Sequence, residues 1–242
     1  MNKLNICIAG LGNVGTSLIK SIENNSDFIL NKTSIEIKII AISAKSKNKK
    51  RNIDINNYEW FDNPLDMALL DECDVIVELI GQEKGISYDL IELALKNKKH
   101  VVTGNKALIA NHGNELFELA EKNSLALNYE AAVAGGIPII NTIKNSIPFN
   151  KINKISGILN GTTNYILTKM EEDNLSFDEV LKIAKDKGFT SDHESQLDIG
   201  GYDAAHKLTI LSTICFGSLL NFNQNQVEGI SNVKIEDINF AK

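Results

Sequence analysis

The sequence has little cysteine and no long apolar run. Its three cysteines, Cys7, Cys73 and Cys215, are scattered and odd in number. They form neither a CxxC pair nor a zinc-ligand spacing, so we expect buried thiols in a reducing cytoplasm. No stretch reaches the roughly 18 apolar residues of a membrane span, and the first ten residues lack the apolar core of a signal peptide. These absences predict a cytoplasmic protein without a membrane partner.

Basic charge is also scarce. The formal net charge is -6 at pH 7, whereas a nucleic-acid binder normally presents a basic face. The longest basic cluster, 45-KSKNKKR-51, is interpreted as a solvated loop between two periodic segments. We therefore expect no nucleic-acid partner. The length of 242 residues suffices for one large or two modest domains.

The first half of the chain contains the pattern of a dinucleotide-binding domain. An apolar run at 4–9 ends directly in 10-GLGNVG-15, and an amphipathic stretch follows. In a strand–turn–helix unit of this kind, successive glycines permit a tight turn, close approach to a pyrophosphate and close helix packing. The helix N-terminus then offers N–H groups to the phosphates. The predicted cofactor-binding residues of this turn are Gly10, Gly12, Asn13, Val14 and Gly15.

The end of the second predicted strand indicates which dinucleotide binds. An NAD site usually has an acid there for the ribose 2′-hydroxyl. The strand predicted at 35–43 is instead followed by lysine, so that Ser43 and Lys45 occupy the region of the acid. A hydroxyl and an amine suit a 2′-phosphate. The sequence therefore favours NADP, with NAD possible.

Strands continue to alternate with helices, which predicts an α/β fold with a Rossmann-like doubly wound parallel sheet. Its ligand should lie beyond the carboxyl ends of the strands. Lys106 follows one such end at the start of a helix, where a cation is disfavoured, so it is a candidate functional residue. An exposed lysine in the first turn of the helix is the alternative. The further predicted strands are 74–81, 100–103 and 125–130, and the further predicted helices are 86–100 and 107–123.

Glu130 stands at another strand end, before a run of small residues at 131–137. A carboxylate beside accessible backbone carbonyls is the outline of a site for a hard cation. A tight turn without a cation is the alternative.

The sequence changes in character after Pro148. A strand is predicted at 151–159, helices at 160–172 and 176–188, and an irregular polar loop at 189–201, followed by a last apolar helix. This pattern predicts a smaller α+β catalytic and dimerisation domain. We place the first domain at 1–135 and the second at 136–242.

The last apolar helix carries two charges near its beginning. Asp203 and Lys207 are four residues apart, and no charged residue occurs between Lys207 and Glu228. A surface ion pair at this spacing is one interpretation. The apolar neighbours favour the other, in which the pair faces the protein interior or a cleft.

Taken in order, six segments resemble homoserine dehydrogenases, from Gly10 to about Ile230. The combination of NGTTNYIL with GYDAAHK is the specific part of this resemblance. The segments are 10-GLGNVG-15, 75-VIVELIG-81, 101-VVTGNKALIA-110, 130-EAAVAGGIPII-140, 157-GILNGTTNYILTKM-170 and 200-GGYDAAHKL-208.

The resemblance implies interconversion of L-homoserine and L-aspartate 4-semialdehyde with NAD(P), in threonine and methionine biosynthesis, by a homodimer. It implies that Lys207 donates and accepts the proton and that Lys106 is a second catalytic lysine, which also lies near the nicotinamide. Asp203 would bind homoserine. The remaining implied residues are Asn160, Gly161 and Thr162 for substrate, Gly188 for nicotinamide, and Glu130, Val133, Gly135 and Ile137 for a monovalent cation such as sodium.

The chain departs from the family pattern in the loop after Gly188 and at its end. Counting back from Asp203 places Asp192 at the family's second substrate-binding acid, whereas counting forward from Gly188 places Ser191 there; we favour Asp192. The family normally continues further, so we expect a chain short at its C-terminus and without an ACT domain. A degenerate relative that binds nucleotide with little turnover, and an oxidoreductase for another small aldehyde, remain alternatives.

Overall fold

The computed structural model describes residues 2–190 and 192–241, with the side chains of all of these except 192–194. The chain divides into two units between Asn141 and Thr142. None of the helices in the described ranges is long and apolar enough to cross a lipid bilayer.

The first unit is built on a six-stranded parallel sheet in the order β3-β2-β1-β4-β5-β6. The order reverses between β1 and β4, and this reversal opens a crevice at the carboxyl ends of those strands. The predicted α/β doubly wound sheet is thus confirmed. Its strands are β1 Asn2–Ala9, β2 Ile35–Ser43, β3 Glu59–Phe61, β4 Val75–Glu78, β5 His100–Thr103 and β6 Leu127–Asn128.

Helices cover the sheet, so its central strands are buried on both faces. The second half of β1 and all of β4 are buried, as is typical of parallel strands between helical layers. Cys7 and Cys73 are buried as predicted, while Cys215 is only partly buried. The helices of this unit are α1 Asn13–Asn24, α2 Ser26–Thr33, α3 Ile86–Lys96, α4 Lys106–Lys122 and the short turn α5 Ile139–Asn141.

The second unit is helical in its described residues. It begins with a π-helical turn at Thr142–Ser146, and its core includes Ile166, Met170 and Val180. Its helices are α6 Gly161–Asp173, α7 Phe177–Asp186, α8 Asp192–Ile199, α9 Tyr202–Phe216 and α10 Ile235–Phe240.

The helix predicted at 176–188 forms as α7, and both of its ends are capped. The backbone N–H of Ser176 donates to Glu179 Oε2 at 2.9 Å, which completes a capping box. At the other end Gly188 has a φ of 75°, and the N–H of Phe189 donates to the Ala184 carbonyl at 3.0 Å. This left-handed glycine stops the helix.

Two expectations for the second unit are wrong. Residues 151–159 are not a strand, and no described residue of this unit is in a strand. A strand requires a hydrogen-bonded neighbour, and these residues pair with none of the six strands. The polar segment 189–201 is not irregular throughout, because α8 lies within it. Its Glu, Gln and Leu residues favour helix, and the helix ends at the two glycines of 200–201.

Candidate functional site

The three glycines of the turn after β1 have two different roles. Gly10 has a φ of 105°, and a Cβ there would lie 2.3 Å from the Leu79 carbonyl oxygen. A Cβ on Gly15 would lie 2.0 Å from the Gly10 carbonyl oxygen. A Cβ on Gly12 would meet nothing within 4 Å. Gly10 and Gly15 therefore permit the turn itself, whereas Gly12, the N-cap of α1, leaves open space in front of the helix N-terminus.

A cavity of about 840 Å³ lies at the carboxyl ends of β1, β2 and β4. Its size is within the usual range for ligand pockets. Gly10, Gly12, Ser43 and Lys45 all line it. The structure thus brings together the glycine turn and the two residues predicted to bind the 2′ position, while Asn13 and Val14 begin α1 beside the turn.

Arg51 also lines this cavity, and the sequence analysis did not identify it. Its guanidinium group donates to the carbonyl oxygens of Ser46 at 2.7 Å, Lys49 at 3.0 Å and Leu11 at 3.3 Å. It therefore ties the β2–β3 loop to the glycine turn. The interpretation of 45–51 as a solvated loop is right for residues 45–50, which are exposed, whereas Arg51 is only partly exposed. The position of this loop, directly after the carboxyl end of β2, could have indicated that one of its residues lines the cavity.

Lys106 is the first residue of α4 and follows the carboxyl end of β5. The side-chain oxygen of Asn105 accepts from the Leu108 N–H at 3.2 Å and so caps this helix. Lys106 is partly buried and is not among the residues that line the 840 Å³ cavity.

In the second unit, Lys207 and Asp203 form a largely buried ion pair. Lys207 Nζ lies 2.6 Å from Asp203 Oδ2 and donates to the Leu159 carbonyl at 2.7 Å. The side chains of Lys207 and Asp203 are 19% and 8% exposed. The pair is therefore not the exposed surface ion pair that was the alternative interpretation.

Asn160 connects this pair to a second acid. Its Nδ2 donates to Asp203 Oδ2 at 2.9 Å and to Asp198 Oδ1 at 2.7 Å. Its Oδ1 accepts from the Thr163 N–H at 2.8 Å and caps α6. Asp198 was not predicted as a site residue, and no periodicity links it to Asn160, which is 38 residues away. Thr190 Oγ1 lies 3.3 Å from Asp198 Oδ2.

The other predicted substrate and nicotinamide residues surround these helix ends. Gly161 begins α6. The Thr162 hydroxyl donates to the Phe189 carbonyl at 3.3 Å, next to Gly188. Asp192 begins α8, but its side chain and the whole of Ser191 lie outside the described residues.

Glu130 and the small residues after it form a tight turn. Glu130 Oε1 and Oε2 accept from the N–H groups of Ile140 and Asn141, each at 2.9 Å. Val133 is buried, whereas Gly135 and Ile137 are exposed. Burial, with a smaller effect of Glu130, raises the pKa of Tyr129 to about 12, so this phenol stays neutral. The described residues contain no cluster of three His, Cys, Asp or Glu side chains that could hold a metal ion.

The strand order, the glycine turn and the cavity define the first unit as a dinucleotide-binding domain of the Rossmann type. The second unit carries a largely buried lysine–carboxylate pair.

The family follows from comparison with known proteins. Residues 10–130 match the family model described as the NAD-binding domain of homoserine dehydrogenase, and residues 138–242 match the model described as homoserine dehydrogenase. The chain belongs to the homoserine dehydrogenase family.

Individual relatives agree with this assignment. A homoserine dehydrogenase of Neisseria gonorrhoeae is 40% identical over 242 residues, which are 100% of this chain and 55% of that protein. The crystal structure of a homoserine dehydrogenase from Thiobacillus denitrificans has a TM-score of 0.94 at 38% identity, covering 100% of this chain and 55% of that one. A hyperthermophilic archaeal homoserine dehydrogenase in complex with NADPH has a TM-score of 0.79 at 26% identity, covering 96% and 75%. The chain thus spans about half the length of the first two relatives.

Proposed function

We propose that the protein interconverts L-homoserine and L-aspartate 4-semialdehyde, in threonine and methionine biosynthesis, with a nicotinamide cofactor and a preference for NADP. The observation that carries the proposal is the Lys207–Asp203 pair, a largely buried amine held by a carboxylate within a chain of this family. Family membership supports the substrate, and the open space at Gly12 supports the dinucleotide.

Lys207 is the proposed proton donor and acceptor. An ammonium group has three N–H donors, and Asp203 and the Leu159 carbonyl take two of them. One N–H is therefore left to donate to the substrate oxygen. In aldehyde reduction Lys207 gives this proton to the developing alkoxide, and in homoserine oxidation it takes the hydroxyl proton back.

Lys106 and the carboxylates have complementary proposed roles. Lys106 is proposed from the family resemblance as a second catalytic lysine, which would stabilise negative charge on the substrate oxygen near the nicotinamide. Asp203, Asp198 and Asp192 are the proposed acceptors for the substrate's α-ammonium group, of which Asp203 and Asp198 share Asn160 as a donor. Gly161, Thr162 and Gly188 belong to the same proposed substrate and nicotinamide region.

The first unit holds the cofactor in this proposal. When bound, the cofactor accepts a hydride from homoserine or supplies one to the semialdehyde. Gly12 leaves room for the pyrophosphate at the N-terminus of α1, and Gly10 and Gly15 permit that approach. Ser43 and Lys45 line the same cavity and suit a 2′-phosphate by hydrogen bonding and charge.

Two further proposals rest on the family resemblance and on the Glu130 turn. A monovalent cation such as sodium would bind the Glu130 carboxylate and the carbonyls of Val133, Gly135 and Ile137. Each Glu130 oxygen accepts one N–H, and a carboxylate oxygen has a second lone pair for a cation. A cytoplasmic homodimer is the proposed working form.

The direct test is homoserine-dependent reduction of NADP+, followed by the absorbance of the reduced cofactor. We expect turnover with L-homoserine, with a higher kcat/KM for NADP+ than for NAD+. Nucleotide binding by calorimetry without homoserine-dependent turnover would contradict the enzymatic proposal and favour a relative that only binds nucleotide. Turnover with another small hydroxy amino acid, but not with homoserine, would contradict the substrate.

Replacing Lys45 with alanine tests the cofactor preference. We expect KM for NADP+ to rise about tenfold, the equivalent of about 1.4 kcal/mol, because one charged contact to the 2′-phosphate is lost. KM for NAD+ should change less than about twofold, because NAD has no 2′-phosphate. Lys50→Ala is the control, since Lys50 is exposed in the same loop and does not line the cavity. Equal effects on both cofactors would contradict the assignment.

A further inference from the structure

We infer that Glu78 is a positioning residue for Lys106, and that it acts through the hydroxyl of Thr103. The inference rests on the proposed function only in that Lys106 belongs to the active site. Glu78 and Thr103 are the last residues of the neighbouring strands β4 and β5, and they face each other in the sheet register. Both lie where those two strands reach the crevice.

Glu78 is a fully buried carboxylate at 0% exposure. Its Oε1 accepts from the N–H groups of Ile80 at 2.9 Å and Gly81 at 3.0 Å. Its Oε2 accepts from the Thr103 hydroxyl at 2.6 Å. These partners are neutral N–H and O–H donors, and a buried carboxylate persists in an apolar sheet only when it is hydrogen-bonded in this way. If this position only required packing, an apolar side chain would stabilise the fold at least as well as a buried acid.

The hydrogen bonds have a fixed direction, which links Glu78 to the start of α4. Glu78 Oε2 accepts from the Thr103 hydroxyl, whose lone pairs remain available for a donor. The N–H of Asn105 donates to Thr103 Oγ1 at 3.0 Å. Asn105 in turn caps α4 through Leu108 and donates to the Gln82 carbonyl at 2.7 Å. Lys106 is the next residue of the chain.

The same carboxylate fixes a second part of the crevice. The turn that Glu78 Oε1 holds begins at Leu79, and the Leu79 carbonyl would lie 2.3 Å from a Cβ on Gly10. One buried acid therefore sets both the turn beside the cofactor glycines and the first residue of α4. A displacement of this backbone would move the Lys106 amine without removing it.

Thr103→Val and Thr103→Ser separate positioning from a merely structural role. Valine has the shape of threonine without the hydroxyl, so it removes both the donor to Glu78 Oε2 and the acceptor of the Asn105 N–H, whereas serine keeps both. We expect Thr103→Val to lower kcat about tenfold to 100-fold, because small misplacements of catalytic groups have effects of that order. The Kd for NADP+ should change less than about threefold. Thr103→Ser should restore kcat to within about threefold of the original protein.

Hydrogen exchange supplies a readout that does not depend on catalysis. We expect amide exchange at residues 105–108 to accelerate in Thr103→Val and not in Thr103→Ser, while exchange in α1 stays unchanged. Unchanged exchange at 105–108, or equal acceleration in α1, would overturn the inference. If the unmodified protein lacks homoserine-dependent turnover, the proposed function fails, and the exchange pattern still decides whether Glu78 and Thr103 position Lys106.

Glu78→Gln is the second variant if Thr103→Val does not fold. Its Oε1 can still accept from Ile80 and Gly81, but its Nε2 donates where the carboxylate accepted, so the Thr103 proton loses its acceptor. The same loss of kcat, with retained NADP+ binding and faster exchange at 105–108, is expected. Normal kcat together with normal exchange would contradict the inference.

Discussion

Replacing Lys207 with methionine should lower kcat for homoserine oxidation by roughly 10²- to 10⁴-fold, the range in which a positioned acid–base group contributes to catalysis. Methionine keeps much of the length and apolar volume of the side chain and removes the amine. The remaining groups that hold the pair, Asn160 and the helix ends of α6 and α9, stay in place. The measurement is kcat and KM with L-homoserine, together with the Kd for NADP+ by calorimetry.

The Lys207 variant also loses part of its stability, and this must be separated from chemistry. Asp203 is buried, so removing its cationic partner at 2.6 Å leaves a buried carboxylate with fewer donors. The expected loss in the free energy of unfolding is about 1–3 kcal/mol. Kinetics should therefore be measured below the midpoint of thermal unfolding of the variant. Normal NADP+ binding with a low kcat then locates the defect in the proton transfer.

Lys169→Met is the matched control for Lys207. Lys169 forms an exposed ion pair with Glu172 at 2.8 Å in α6, at a spacing of three residues. It is a pair of the surface type that was the alternative interpretation of Asp203 and Lys207. We expect no change in kcat from Lys169→Met. A Lys207→Met protein with kcat within about tenfold of the unmodified one would show that Lys207 is not the proton donor.

The secondary structure elements with a clear hydrophobic pattern in the sequence could be predicted, and the others could not. The strands and helices around the glycine turn have strong periodicity, and the structure forms all of them. The three-residue strand Glu59–Phe61 is too short to show a period and exists because it pairs with β2. The segment 151–159 has apolar residues typical of a strand, but a pattern does not supply the neighbouring strand that pairing requires.

In the candidate site, contacts within one helix could be predicted from the sequence, whereas contacts between distant segments could not. Asp203 and Lys207 could be predicted to meet because a helix places residues four apart on one face. Asp198 is linked to Asp203 through Asn160, and that link depends on how α6, α8 and α9 pack. Glu78 lies within the predicted strand 74–81, and nothing in that pattern indicates that this acid is fully buried. Long-range hydrogen bonds of this kind have no signature in a single sequence.

The second large effect concerns the glycine turn, where two alanine substitutions should behave in opposite ways. Gly15→Ala places a Cβ 2.0 Å from the Gly10 carbonyl oxygen, which is backbone and cannot rotate away. Strand β1 and helix α1 must then separate, at an expected loss of about 2–4 kcal/mol in the free energy of unfolding, near or above the usual range for overpacking. The thermal unfolding midpoint measures this loss of stability, and a poor yield of folded Gly15→Ala protein would also support it.

Gly12→Ala is the informative partner of that substitution. Gly12 has a φ of -77°, which alanine adopts without strain, and a Cβ there meets no atom within 4 Å. Stability should therefore stay equal or rise by about 0.4–1 kcal/mol, because alanine restricts the unfolded chain. The methyl group would nevertheless occupy the space proposed for the pyrophosphate, so the Kd for NADP+ should rise at least about tenfold. If Gly12→Ala bound NADP+ normally, the pyrophosphate would have to lie elsewhere, because Gly12 is the glycine of this turn whose Cβ position is open to a ligand.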